Sequence, residues 1–266
     1  MRDGSTLEEE AELEAAGVSQ EAASSGSGPS GYRLADCKRS LVVAMGLLFF
    51  LQFSGINAIM MYATDICTQA GLENAEFSTV MVTVAQLVFG VASCVLVETF
   101  GRRRLLQFSG LTMCLSHVGL SYFYWAQGAG RWAPPSMALA SLSLYVIGFS
   151  VGMGPVPWII LGEIFPVEVA GAASAIATAV GWTSSFIVCV GFRDLQLIVG
   201  AAGAFLFFGV LCLGCFIFVS ALVPETKGKT LEEILALMQC GSARTVAPAA
   251  GGKPKSVVAP VVSVCV

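Results

Sequence analysis

Gln52, Asn57 and Gln86 are amides embedded in stretches of apolar sequence. A polar side chain in such surroundings is costly unless it is bonded, and an amide brings one acceptor and two donor hydrogens. Gln52 and Asn57 flank Ser54-Gly55. On a straight helix five residues turn ~500°, leaving the two about 140° apart around the axis, so they would not share a narrow face. A kink or local unwinding at Ser-Gly brings both toward one cavity. Trp158 and Trp182 lie inside apolar runs too, although tryptophan at the membrane prefers the interfaces. Trp158 directly follows Gly154-Pro155-Val156-Pro157, and Pro155 and Pro157 each remove a backbone donor, which breaks a helix. Broken helices at membrane depth are tolerated where they are buried in protein or line a cavity. Amides to bond hydroxyls, with aromatic faces to pack on C–H surfaces, are what a neutral polyol such as a sugar requires. The plainer uses are interhelical amide bonding and a proline kink with a packing ring. The residues alone leave both open.

A second constellation is charged. Glu98-Thr-Phe-Gly-Arg-Arg-Arg104 places an acid before a tight Gly turn and three arginines. Glu163 ends a later apolar run, and Pro224-Glu225-Thr-Lys227-Gly228-Lys229 follows the last one. Glu98, Glu163 and Glu225, with Arg102 and Arg103, are predicted to form a salt-bridge network that opens with an inner gate. Anchoring by positive charge explains the arginines but not three acids at helix ends.

These residues need a scaffold, and the composition limits what it is. Hydrophobic residues make up 56% of the chain and charged ones 12%, with a mean hydropathy of +0.78. A soluble domain carries about 25% charge, so a bilayer must solvate most of this chain. Leu41–Ala63, Phe77–Val97, Leu105–Gly130, Trp132–Gly162, Val169–Phe192 and Leu195–Val223 lack any Asp, Glu, Lys or Arg. Crossing ~30 Å at 1.5 Å per residue takes roughly 20 residues, so each is long enough. Period-2 alternation is absent, which disfavours a β-barrel. The expectation is an all-α membrane protein of six transmembrane helices over residues 41–223. An acidic segment over 1–40, with a short helix at Leu7–Ala16 and a Ser/Gly linker, precedes them. A tail over 224–266 follows, with a capped helix at Thr230–Met238 and no periodicity beyond Cys240.

Arg33, Lys38, Arg39, Arg102–Arg104, Lys227 and Lys229 fall on one side of these spans, against Arg131 and Arg193 on the other. Both termini are therefore expected in the cytoplasm. The acids concentrated in the first 21 residues argue against nucleic acid. Cys94, Cys114, Cys189, Cys212 and Cys215 lie in apolar runs, where cysteine behaves as a small hydrophobe. With no CxxC and only His117, no metal site is expected. No Walker A motif occurs, so no ATP-driven step is expected, and no cofactor.

Five segments resemble the sugar porters of the major facilitator superfamily, in that family's order and spacing. They are QFSGINAIMMY (Gln52–Tyr62), ETFGRRR (Glu98–Arg104), GPVPWIILGEIFP (Gly154–Pro166), GWTSSF (Gly181–Phe186) and PETKGKT (Pro224–Thr230). The resemblance covers Leu34 to Met238 and is greatest to the trehalose-transporter-like branch. It implies one six-helix half of a major-facilitator fold, moving a hexose or trehalose by alternating access without covalent chemistry. It also implies that Gln52, Asn57 and Gln86 bond sugar hydroxyls, and that Trp158 and Trp182 line the cavity. Glu98, Arg102, Arg103 and Glu163 fall on the family's cytoplasmic salt-bridge positions. Leu51, Ser150, Ala170 and Gly181 stand where relatives commonly carry Gln, Glu, Arg and Asn. Because the family has twelve spans in two halves, the chain is expected to be a fragment, or to need a first half or a second copy as partner. The expected partners are thus a sugar, the bilayer and that half, with the plasma membrane as location. A non-transporting sugar sensor or membrane subunit is the alternative.

Overall fold

The computed structural model describes residues 34–69 and 74–238. The segment expected as an acidic helix, the Ser/Gly linker, Arg33 and the tail beyond Cys240 lie outside the described residues. A 3-10 turn at Leu34–Cys37 leads into α1 (Lys38–Phe53) and α2 (Ile56–Gln69), which together make the first span. Then come α3 (Ala75–Phe100) and α4 (Arg102–Gly128). The fourth span is α5 (Pro135–Gly148), a π-helical turn at Phe149–Met153, and α6 (Val156–Glu163). The helix Val167–Leu222 is interrupted at Gly200, giving α7 (167–199) and α8 (201–222). Last is α9 (Leu231–Met238). Six helical spans result, with no strand among the described residues.

Lys38–Thr68, Glu76–Phe100, Pro135–Glu163 and Val167–Leu222 are long and apolar enough to cross a membrane. The last of these holds two spans across its break. The 27 residues of α4 reach about 40 Å but are more polar, and burial within the bundle accounts for that. Ser109, Thr112, Ser116 and His117 of α4 are all buried. The Thr112 hydroxyl donates to the Phe108 carbonyl and that of Ser116 to the Thr112 carbonyl, both at 2.8 Å, so these hydroxyls are satisfied by their own helix. Packed along α4 are α5 and the helix Val167–Leu222, and α1 lies along the same long helix. Exposed Val80, Val84, Leu87, Val88, Val91 and Val95 give α3 an outward apolar face suited to lipid.

One boundary differs from the sequence reading. Arg193 and Asp194 mark a loop by charge, yet the helix continues through both with their side chains exposed. It breaks instead at Gly200, with φ 74° and ψ 168°. A charge near the end of a span reaches water from a helical position, so it does not stop the helix. The expected cap at Thr230 is present: the Thr230 amide donates to Glu233 Oε2 at 2.9 Å, and the Glu233 amide donates to Thr230 Oγ1 at 3.3 Å.

A candidate sugar site at a broken helix

Between α1 and α2 the chain turns at Ser54-Gly55, where Gly55 has φ +87°. Glycine takes this conformation without the steric cost a Cβ brings, and the Phe208 ring would lie 3.2 Å from any added Cβ. The break does what the spacing predicts. Asn57 Nδ2 donates to Gln52 Oε1 at 2.6 Å, a contact the ~140° offset of a straight helix forbids. The same nitrogen donates to Ser185 Oγ of α7 at 2.8 Å. Gln52 is buried and Asn57 half-buried, so the cluster sits at the edge of the packed interior rather than sealed inside it. It is neutral, and its members keep acceptor and donor capacity that a polyol hydroxyl can use.

The other residues singled out in the sequence are placed differently. Gln86 is half-buried on α3 and has no hydrogen-bond partner among the described residues. Trp158 on α6 is half-buried against the core, whereas Trp182 on α7 is 64% exposed. Pro155 and Pro157 fall at the start of α6, where a missing N–H removes no helical bond. The π turn before them closes with the Gly154 amide on the Phe149 carbonyl at 2.8 Å, and the Met153 amide is taken up by Ser109 Oγ at 3.0 Å. Gly181 packs with its Cα side on Leu48, 3.3 Å from where a Cβ would sit. A larger residue there requires Leu48 to shift.

At the basic end of the bundle, Arg102 Nη2 pairs with Glu163 Oε1 at 3.0 Å. The Thr226 hydroxyl donates to the other oxygen of Glu163 at 2.6 Å. Glu225 does something the sequence did not suggest. Its two oxygens accept the backbone N–H groups of Arg102 and Arg103 at 3.0 and 3.2 Å. It thereby caps α4 from the far end of the chain, meeting its unpaired donors and the positive end of its dipole. Gly101, at φ +88°, makes room: an added Cβ would come within 2.7 Å of Glu225 Oε2. Arg103 bonds the Ser220 carbonyl of α8 through Nη2, and Lys227 Nζ bonds the Thr99 carbonyl at 2.7 Å. Glu98 is exposed and joins no ion pair among the described residues.

A family model described as "Sugar (and other) transporter" matches residues 3–237. The chain belongs to this sugar transporter family. Among curated relatives, it is 41% identical over 225 residues to a facilitated trehalose transporter of Polypedilum vanderplanki, covering 82% of this chain and 44% of that protein. It is 39% identical to one from Apis mellifera ligustica, covering 74% and 39%. The chain thus spans less than half the length of these relatives. Among solved structures, a double-tryptophan variant of XylE superposes with a TM-score of 0.72 at 33% identity, covering 79% of this chain and 45% of that one. The proton:xylose symporter XylE bound to 6-bromo-6-deoxy-D-glucose gives 0.67 at 33% identity, covering 74% and 42%. These similar proteins are transporters rather than enzymes.

Four residues of this family member's site region escaped the sequence reading in that role. Ser185 lay within a quoted motif, but a serine in a Thr-Ser-Ser run carries no distinctive signal. Ser54, His117 and Tyr145 meet one another only in three dimensions: the Ser54 carbonyl accepts from His117 Nε2 at 2.9 Å and from the Tyr145 hydroxyl at 3.0 Å.

Proposed function

We propose that this multi-pass membrane chain forms one half of a pathway that carries a neutral sugar, a hexose or trehalose, across the membrane by facilitative alternating access. The observation that carries the reading is the Asn57 amide held between Gln52 and Ser185 beside a helix break at membrane depth. Family membership and the trehalose transporters among its relatives support the choice of sugar.

The proposed chemistry is exchange of hydrogen bonds alone. A sugar hydroxyl donates to Gln52 Oε1 or accepts from Asn57 Nδ2, replacing an internal bond of similar strength, so binding and release both stay accessible. Gln86, Trp158 and Trp182 are proposed as further lining groups, completed by the face that a first half or a second copy supplies. Pro155 and Pro157 mark the flexing point of the fourth span. Glu163, Arg102, Arg103 and Glu225, with Glu98 nearby, are proposed to hold the inner end closed. Residues 41–223 form the membrane unit, with 1–40 and 224–266 on the cytoplasmic side, and the plasma membrane is the proposed location.

The test is uptake of labelled glucose and trehalose into proteoliposomes holding the 266-residue chain, with and without a separately supplied six-helix first half. Saturable uptake that falls when Gln52 or Asn57 becomes alanine is expected. Binding without any uptake in either preparation would favour a non-transporting sugar sensor instead.

A further inference from the structure

The break at Ser54-Gly55 leaves a carbonyl without its helical partner. Gly55 O accepts the Ile59 amide at 2.9 Å, but no backbone N–H of the described residues reaches Ser54 O. At membrane depth such a carbonyl is costly. Two side chains from two other spans meet it, His117 of α4 and Tyr145 of α5. A carbonyl oxygen has no hydrogen to give, so His117 must carry its proton on Nε2 and donate. Its Nδ1 is buried with no hydrogen-bond partner among the described residues. The Ser54 hydroxyl donates to the Leu51 carbonyl at 2.7 Å and lies 3.0 Å from the Tyr145 hydroxyl. Both rings are fully buried, and the His117 ring is packed between Tyr145, Phe205 and Phe208 with centroids 4.9–6.1 Å away. Neither is placed to touch a sugar.

We propose that His117 and Tyr145 are positioning residues for sugar recognition, holding the Ser54 carbonyl out of helical register so that Gln52 and Asn57 stay on one face. The inference rests on the reading of the Gln52–Asn57–Ser185 cluster as the sugar site. Its logic is geometric. Were Ser54 to resume a continuous helix, its carbonyl would turn to the Ala58 amide and the two amides would separate by about 140°. The histidine and tyrosine offer that carbonyl two bonds in place of one. A single helix cannot offer both. The arrangement also explains a buried histidine with one idle nitrogen: the ring is kept for one donor and its shape.

Two measurements on His117→Phe, Tyr145→Phe and His117→Gln test this, alongside Gln52→Ala. The first is deuterium exchange of the amides over residues 54–60 in the purified chain. Faster exchange is expected in the two Phe variants, with protection restored in His117→Gln, whose side-chain amide can donate. The second is the KM for sugar uptake, expected to rise about five-fold in His117→Phe, the worth of one hydrogen bond, and to recover in His117→Gln. A role in folding alone would lower the yield of active protein and its maximal rate while leaving KM in place. Unchanged exchange over 54–60 in both Phe variants overturns the proposal. An unchanged KM in His117→Phe beside a raised KM in Gln52→Ala also overturns it, while an unchanged KM in both shows that the sugar-site reading itself has failed.

Discussion

The two polar regions of this bundle are built on opposite plans. Beside the Ser54-Gly55 break the cluster is uncharged, the bonds made by Asn57 are amide to amide and amide to hydroxyl, and Asn57 stays half-buried. At the basic end, charged groups bind one another and bare helix ends: Arg102 pairs with Glu163, and Glu225 caps α4. Depth explains the contrast. A charge at the bilayer centre is costly, so a binding site there is assembled from dipoles whose bonds exchange at little net energy. Near the interface, water and headgroups lower the cost of charge. Paired charges and capped helix termini there could be made or broken as a set, which is what the proposed alternating gate needs. Under the proposed function the contrast becomes a division of labour, with recognition assigned to the neutral cluster and closure to the charged one.

That division can be broken experimentally, starting at the charged end. Gly101→Ala puts a Cβ against the Glu225 carboxylate at a positive φ. It should destabilise the chain by about 2–3 kcal/mol, read as a lower Tm in detergent. Asn57→Ala removes the donor that bridges Gln52 and Ser185 and takes that donor from two acceptors on buried residues. Sugar affinity should fall by about ten-fold in an equilibrium binding assay, with a lower Tm that reflects about 1–2 kcal/mol for the acceptors left unpaired. Glu163→Gln breaks an ion pair whose members are 14% and 28% exposed. Because it is partly screened, roughly 1 kcal/mol is expected, seen as altered gating rather than altered affinity. The smallest effect belongs to Glu98→Gln. Its carboxylate is exposed and outside the ion pair, so Tm and uptake should both stay within about 0.5 kcal/mol of the unaltered chain. A large effect at Glu98 would show that the latch takes another form during the cycle.

Much of this was legible in the sequence, for identifiable reasons. Six apolar stretches free of charge could only be spans, and Ser-Gly between two amides signals a break because glycine alone adopts φ +87° without strain. Pro155 and Pro157 likewise announce where α6 must start. Other features depend on contacts between segments far apart in the chain. Glu225 caps a helix that begins more than a hundred residues earlier, and nothing in PETKGKT says which amides its carboxylate will meet. Ser185 acquires its place only because α7 packs beside the break. The end of α7 was misread because Arg193 and Asp194 look like a loop. A side chain near the interface can remain helical and still reach water, and the turn needed Gly200 instead. Trp182 was singled out for its central position in an apolar run, and only helical phase shows that Gly181 faces inward on Leu48 while Trp182 faces outward.

The most direct test of neutral recognition and charged closure is steady-state sugar uptake in proteoliposomes by Asn57→Ala and Glu163→Gln, measured side by side. The account predicts that Asn57→Ala raises KM by about ten-fold with little change in maximal rate, and that Glu163→Gln changes the maximal rate with KM intact. An unchanged KM in Asn57→Ala, or an equal rise in KM in both variants, would contradict it.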